Sequence, residues 1–382
     1  MNNVANYFGR FKKGAILNIT VNAIQAFGLG FASYYFQTKG LALYKIMLVW
    51  AINPLASLPI VLLATRWSTR TFLKLGVLCY IGASLSLLFY NEYSWLLFGI
   101  FMGLGLGLFW VSFNYVFFST SSNNQHAKDS SMYFIFPALV SIVMPPLGAL
   151  VIDNFGFKML FMFTTVAFLI PLFYVRSDYF NHDQTITFSQ ANKEFSNIRL
   201  IAFFDGVLQF FQWHFLTIYA LIFLKTEYEV GGLLSLIALL SLLVSFALSY
   251  ASDHYGKRVE FLYPLLTLMA ILILIMPSLN SVVALVPFIG AYVILDNLSM
   301  PIRFSIRMDM AKSNIGFWRA SEFYGNIGRT VVLGMSALLL YLGYSWLPFV
   351  IFAVMTIIFP FIIRQKNISL RKRSGESQAG SL

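Results

Sequence analysis

Twelve apolar runs of about 18 to 25 residues follow one another along this chain, and only a lipid bilayer accommodates such a pattern. They fall at 15–38, 44–64, 72–90, 94–118, 131–152, 157–175, 199–224, 230–251, 259–277, 281–305, 319–341 and 344–363. Within a hydrocarbon core of about 30 Å, every backbone N–H and C=O must find its partner inside the protein, and a helix does so segment by segment. Composition agrees: 11% of residues are charged, against about 25% in a soluble domain. A soluble enzyme or nucleic-acid-binding domain is excluded on these grounds. Cys79 stands alone, so no internal disulfide is expected. The first run follows Arg10, Lys12 and Lys13, but it is too long for a signal peptide's apolar core and lacks a small-residue cleavage pattern. It reads as a retained helix.

The net charge of +11 is explained by topology rather than by a nucleic-acid partner. With the N-terminus placed in the cytoplasm, 21 of the 26 Lys and Arg fall on the cytoplasmic side. Lys39, Lys45, Lys158 and Lys225 fall outside, and Arg329 lies within a run. The bias predicts two cytoplasmic termini and an even number of crossings. The longest polar stretch, 176–198, divides the chain. The expected organisation is a helical bundle over 1–175, a cytoplasmic linker over 176–198, a second bundle over 199–363, and a basic tail over 364–382 lying solvated at an anionic leaflet.

The halves carry a related turn. Ser252-Asp253-His254-Tyr255-Gly256-Lys257-Arg258 follows the eighth run, and Ala64-Thr65-Arg66-Trp67-Ser68-Thr69-Arg70 follows the second, half a chain earlier and without a gap. Internal repetition of this kind marks secondary transporters. Here the sequence resembles the major facilitator superfamily, whose signature at these turns is roughly Asp-Arg-x-Gly-Arg-Arg. Asp253, Gly256, Lys257 and Arg258 match it, with His254 in place of the first Arg. The first copy departs: Thr65 replaces the acid and Ser68 the glycine. The resemblance implies an all-α integral membrane protein, with twelve transmembrane helices in two six-helix bundles related by a pseudo-twofold. It also implies alternating access, a cytoplasmic gate at these turns, and a central cavity lined mainly by crossings 1, 4, 7 and 10. Met144-Pro145-Pro146-Leu147-Gly148-Ala149 resembles the Gly-Pro-x-x-Gly-Gly element of antiporter branches. It also reads as a plain Pro/Gly kink.

Residue spacing supports such a cavity independently, because positions i, i+4 and i+7 share one helix face. The first run carries Asn18, Asn22 and Gln25, and the fourth Gly103, Gly107, Trp110 and Asn114. The seventh carries Asp205, Gln209 and Gln212, and the tenth Tyr292, Asp296, Ser299 and Arg303. The eleventh adds Glu322, Asn326 and Arg329. Ionisable groups inside a bilayer are costly and by default face a cavity or a partner. Asp205 or Asp296, balanced by Arg329, is therefore the expected core of the site, as a proton or substrate carrier or as a structural pair. Arg303 and Glu322 are expected near the interface. His214 is nine residues from Asp205, on the far side of a regular helix, and is expected to pack.

The first half has no charge beyond the first turn of its runs, where Lys45, Lys74 and Lys158 lie, which suits a small neutral-polar, amphipathic or cationic solute better than a polyanion. The expected function is secondary active transport, proton-coupled, with export by antiport ahead of uptake by symport. A membrane-embedded transferase and a non-transporting receptor or assembly factor are the other readings. No Walker loop is present and the four His form no ligand pattern, so no catalytic residue, metal, cofactor or nucleic acid is expected. The expected setting is a monomer in a prokaryotic plasma membrane.

Overall fold

The computed structural model describes residues 2–63, 68–119, 126–182, 187–251, 258–309 and 315–373, and every regular element among them is helical. In chain order these are α1 (Asn2–Phe27), α2 (Ala32–Thr38), α3 (Leu43–Leu63), α4 (Thr69–Leu88), α5 (Ser94–Ser119), α6 (His126–Ala167), α7 (Leu169–Tyr174) and α8 (Phe188–Glu194). The second half contains α9 (Arg199–Phe210), α10 (Leu216–Ala220), α11 (Glu227–Ala251), α12 (Arg258–Ile275), α13 (Val282–Asp309), α14 (Ile315–Tyr341) and α15 (Leu347–Arg373).

Among the described residues, ten helical segments are long and apolar enough to cross a membrane. Two local features account for the difference from the twelve expected runs. One segment, Pro137–Tyr174, has 38 residues. Straight, it would measure ~57 Å, nearly twice the hydrocarbon core. It is two helices meeting at Gly156, whose φ of 77° and ψ of 169° are open in practice to glycine alone. The seventh run is interrupted by a π turn, Phe211–Phe215, between α9 and α10, so neither piece reaches spanning length by itself.

Several boundaries also move. α1 begins at Asn2, well before the expected 15. α13 continues to Asp309, past the expected 305. α15 runs on to Arg373, into the stretch expected as a solvated tail. That stretch, RQKNISLRKR, contains no Pro or Gly, and cations at a helix C-terminus oppose its dipole favourably.

The halves meet by exchange: α3 packs on α14, and α6 on α11. The second crossing of each half thus faces the fifth of the other, as a twofold relation requires. On the face away from the linker, Tyr34 Oη donates to the Lys225 carbonyl (3.0 Å) and Gln37 Nε2 to the Leu221 carbonyl (2.9 Å). On the linker face, the Phe118 ring lies 5.7 Å from Phe304 and 5.2 Å from Trp318.

The linker straps the same face. Thr69 Oγ1 donates to the Phe180 carbonyl and accepts from the His182 N–H, while Arg70 pairs with Asp178 at 3.0 Å. Thr187 and Gln190 form a capping box that starts α8, where Phe188 packs on Phe323 and Asn192 accepts from Tyr324. Of the expected gate residues, Asp253, Gly256 and Lys257 lie outside the described residues, and Arg258 opens α12. Large apolar side chains such as Val143, Val166, Ile170, Leu243, Leu338 and Phe361 stay exposed on the outer surface. In water they would drive association; against acyl chains they are matched to their solvent.

Candidate solute-binding site

Close approach of α9 and α14 builds the polar centre. A Cβ added at Gly206 would lie 2.3 Å from the Gly325 carbonyl oxygen, so the two backbones touch where a side chain would separate them. Their polar faces then meet. Gln209 Nε2 donates to Asp205 Oδ2 (2.9 Å), and Gln209 Oε1 accepts from Arg329 Nη2 (2.7 Å). Arg329 Nη1 donates to Glu322 Oε2 (2.8 Å) and to Asn326 Oδ1 (2.5 Å), and its guanidinium sits 5.1 Å from the Phe210 ring centre. Asn326 Nδ2 donates in turn to Ser57 Oγ (2.6 Å), and Ser57 Oγ donates to the Pro54 carbonyl (2.7 Å), so this cluster reaches into the first half.

A second cluster lies deeper. Arg303 Nη1 donates to Asp205 Oδ1 at 2.7 Å and Nη2 to Asp296 Oδ1; Arg307 Nη2 pairs with Asp205 Oδ2 at 2.9 Å. Arg303, Asp205 and Asp296 are fully buried. This corrects the expectation that Arg329 balances the aspartates. Because α13 runs to Asp309, Arg303 lies inside the bundle, two turns from Asp296 on one face, and its planar fork spans both acids. Arg329 is committed to Glu322 instead. Glu322, expected near the interface, belongs to the central network.

In the first half, Asn18 Nδ2 donates to the Tyr133 carbonyl (3.1 Å), Asn22 Nδ2 to Asn18 Oδ1 (2.7 Å), and Tyr133 Oη to Asn114 Oδ1 (2.8 Å). The Tyr80 hydroxyl lies within interaction range of the Gln25 and Trp110 side chains. Both tyrosine hydroxyls lie within electrostatic reach of Glu322, so Glu322 faces this amide and aromatic wall. The link across the halves at this level therefore runs between Glu322 and the two tyrosine hydroxyls, whose neighbours are Gln25, Trp110 and Asn114. Gln212 is buried with Oε1 lacking a partner. Tyr292 does not join them: it is fully buried against Phe211, ring centres 4.9 Å apart, within the second bundle. His214 packs, but not on the far side of its helix as expected: it turns toward the other half, stacking on Trp50 with ring centres 3.9 Å apart, and lies within electrostatic reach of Arg329. Spacing had pointed to neither Tyr80 nor Ser57, which lie on crossings 3 and 2. Arg307 carried no spacing signal and entered only the cytoplasmic charge tally. Among the described residues, no group of His, Cys, Asp or Glu could hold a metal ion.

An all-helical membrane bundle, with exchange-related halves around a buried polar centre, is the architecture of a transporter. The sequence model of the Major Facilitator Superfamily matches residues 14–318, and the chain belongs to that family. Among curated proteins, none matches by sequence. Similar solved structures include a POT family transporter in complex with a thioalcohol-conjugated peptide (TM-score 0.68, 14% identity, covering 94% of this chain and 96% of that one). Another is a POT family transporter in complex with 5-aminolevulinic acid (TM-score 0.66, 15% identity, 93% and 94%). A third is a Glu-to-Gln mutant of the peptide transporter POT (TM-score 0.67, 12% identity, 97% and 95%). At these identities the likeness is one of fold.

Proposed function

We propose that this protein is a proton-coupled secondary transporter that moves a small polar or amphipathic solute between its halves by alternating access. The carrying observation is the convergence of polar side chains from both halves on one centre, with cross-half contacts at each face. Rocking the bundles about that centre would break one set of contacts at a time. The solute is neutral or carries balanced charge, because Asp205, Asp296 and Glu322 already answer Arg303, Arg307 and Arg329. Solutes the size of those bound by the structurally similar transporters suit this reading.

The proton acts at Asp296. Arg303 is shared between two carboxylates, so protonating Asp296 hands it wholly to Asp205, which also keeps Arg307. That exchange would shift α13 against α9. Export by antiport rests on the Pro145–Gly148 element of α6, which packs against Gly231 of α11 at the interface between halves. The protein acts as a monomer in a prokaryotic plasma membrane, with both termini cytoplasmic.

Reconstituted in liposomes, the wild type should accumulate solute against its gradient when a pH gradient is imposed. Asp296→Asn should lose that accumulation and keep exchange at equal pH. A variant whose transport retains the wild-type pH dependence would remove the proton role.

A further inference from the structure

We infer that the solute is a small zwitterion, whose ammonium is taken by Glu322 and whose carboxylate is taken by Arg329. This rests on the transport reading of the same site and adds a substrate class to it.

Glu322 and Arg329 are two turns apart on α14 and pair at 2.8 Å. A salt bridge within one helix joins no two elements, so it does little to hold the bundle together. Its position is more telling. Glu322 keeps 17% side-chain exposure, the most of any acid in the central network, and faces the Gln25, Tyr80 and Trp110 wall. Arg329 is 6% exposed, yet its Nε has no acceptor. Gln212, one turn beyond Gln209 on the same face of the seventh crossing, is 4% exposed with Oε1 lacking a donor. Buried polar atoms without partners are uncommon and costly. One open donor on Arg329 itself and one open acceptor on the seventh crossing, which Arg329 meets through Gln209, therefore accompany this ion pair.

Charge balance then selects the ligand. A lone cation entering this pair would claim Glu322 and leave Arg329 without a counter-charge. A lone anion would do the reverse. Leaving either charge buried and unanswered is unfavourable. A zwitterion opens the pair and replaces each lost partner, so no charge is left over. Its carboxylate also has the Arg329 Nε to accept from, and its ammonium has Gln212 Oε1 in addition to Glu322. The aromatic faces of Trp110 and Tyr80 would border the ammonium, where a ring quadrupole attracts a cation.

The test uses the purified full chain and thermal stability against glycine, β-alanine, 4-aminobutyrate and 5-aminovalerate, whose charges lie at increasing separation, and against dialanine, which matches the last in span. Each is compared with its N-acetyl and methyl-ester forms. At least one zwitterion should raise the melting temperature with dose. Its blocked forms should bind ~30-fold or more weakly, the lower end of the effect of removing one partner from a buried charge pair. Glu322→Gln should reverse the preference toward the N-acetyl form. If Glu322→Gln does not fold, the three forms on the wild type decide alone. A blocked form that binds as well as its parent, or a folded wild type that no zwitterion shifts, overturns the inference. Counterflow in liposomes separates it from the transport reading. A zwitterion that binds but is not exchanged leaves the site and removes the transport. Exchange of a singly charged or uncharged solute, with zwitterions inert, does the opposite.

Discussion

The two charged clusters of the second half share Gln209, yet they are built for different work. Asp205, Asp296, Arg303 and Arg307 join α9 to α13, and the exposure of the first three side chains is 0–2%. Glu322 and Arg329 sit on one helix, reach the first half through Asn326 and Ser57, and keep one acid partly open. The same residue types thus give a clamp where the pair crosses between helices and is sealed. They give a partly open pair where it lies along one helix, the pair proposed above to take the solute. Burial and partner geometry separate the two roles; residue type does not.

Breaking the clamp should have the largest effect. Arg303→Leu leaves Asp296 without its cation and Asp205 with Arg307 and Gln209, and breaking a buried pair in this way costs roughly 3–5 kcal/mol. A large drop in melting temperature in detergent is expected, with Arg303→Lys intermediate because a point charge cannot span both acids. An Arg303→Leu protein as stable as the wild type would end the clamp reading. Glu322→Gln should act the other way round. Arg329 keeps Gln209 and Asn326 and Glu322 is partly open, so the stability loss should be smaller, about 1.5–3 kcal/mol for a hydrogen bond to a charged group, while solute binding falls sharply. If Glu322→Gln destabilised the protein as much as Arg303→Leu, the distinction between the clusters would collapse.

The sequence made the polar faces legible because i, i+4 and i+7 spacing survives any uncertainty in where a helix ends. Asn18, Asn22, Asn114, Gln209 and Arg329 all take part in networks through those faces. Partners were harder to read, since pairing depends on depth. Ending the tenth run at 305 put Arg303 at the membrane surface, whereas four more helical residues put it inside. The orientation tally likewise placed Arg303, Arg307 and Arg319 on the cytoplasmic side, and all three are largely buried. The π turn in Phe211–Phe215 left no signal, since nothing in FQWHF departs from ordinary helical composition. Gly156 fell where a break between runs was expected, but its role as a kink between two continuous helices was set by its backbone angles.

The smallest expected effect concerns the thread from the open cluster to the first half. Ser57→Ala removes the acceptor for Asn326 Nδ2, and Asn326 remains held by Arg329. Side-chain hydrogen bonds between membrane helices average about 0.6 kcal/mol and reach about 1.7, because the unfolded chain in lipid also finds partners. A double-mutant cycle of Ser57→Ala with Asn326→Leu should return a coupling in that range by thermal or denaturant unfolding. Because α3 and α14 meet across the interface between halves, the loss should change the rate of exchange more than the affinity for solute. A coupling near zero would mean that the hydrogen bond contributes nothing to the resting fold. The open cluster would then be tied to the second half alone, as the clamp is.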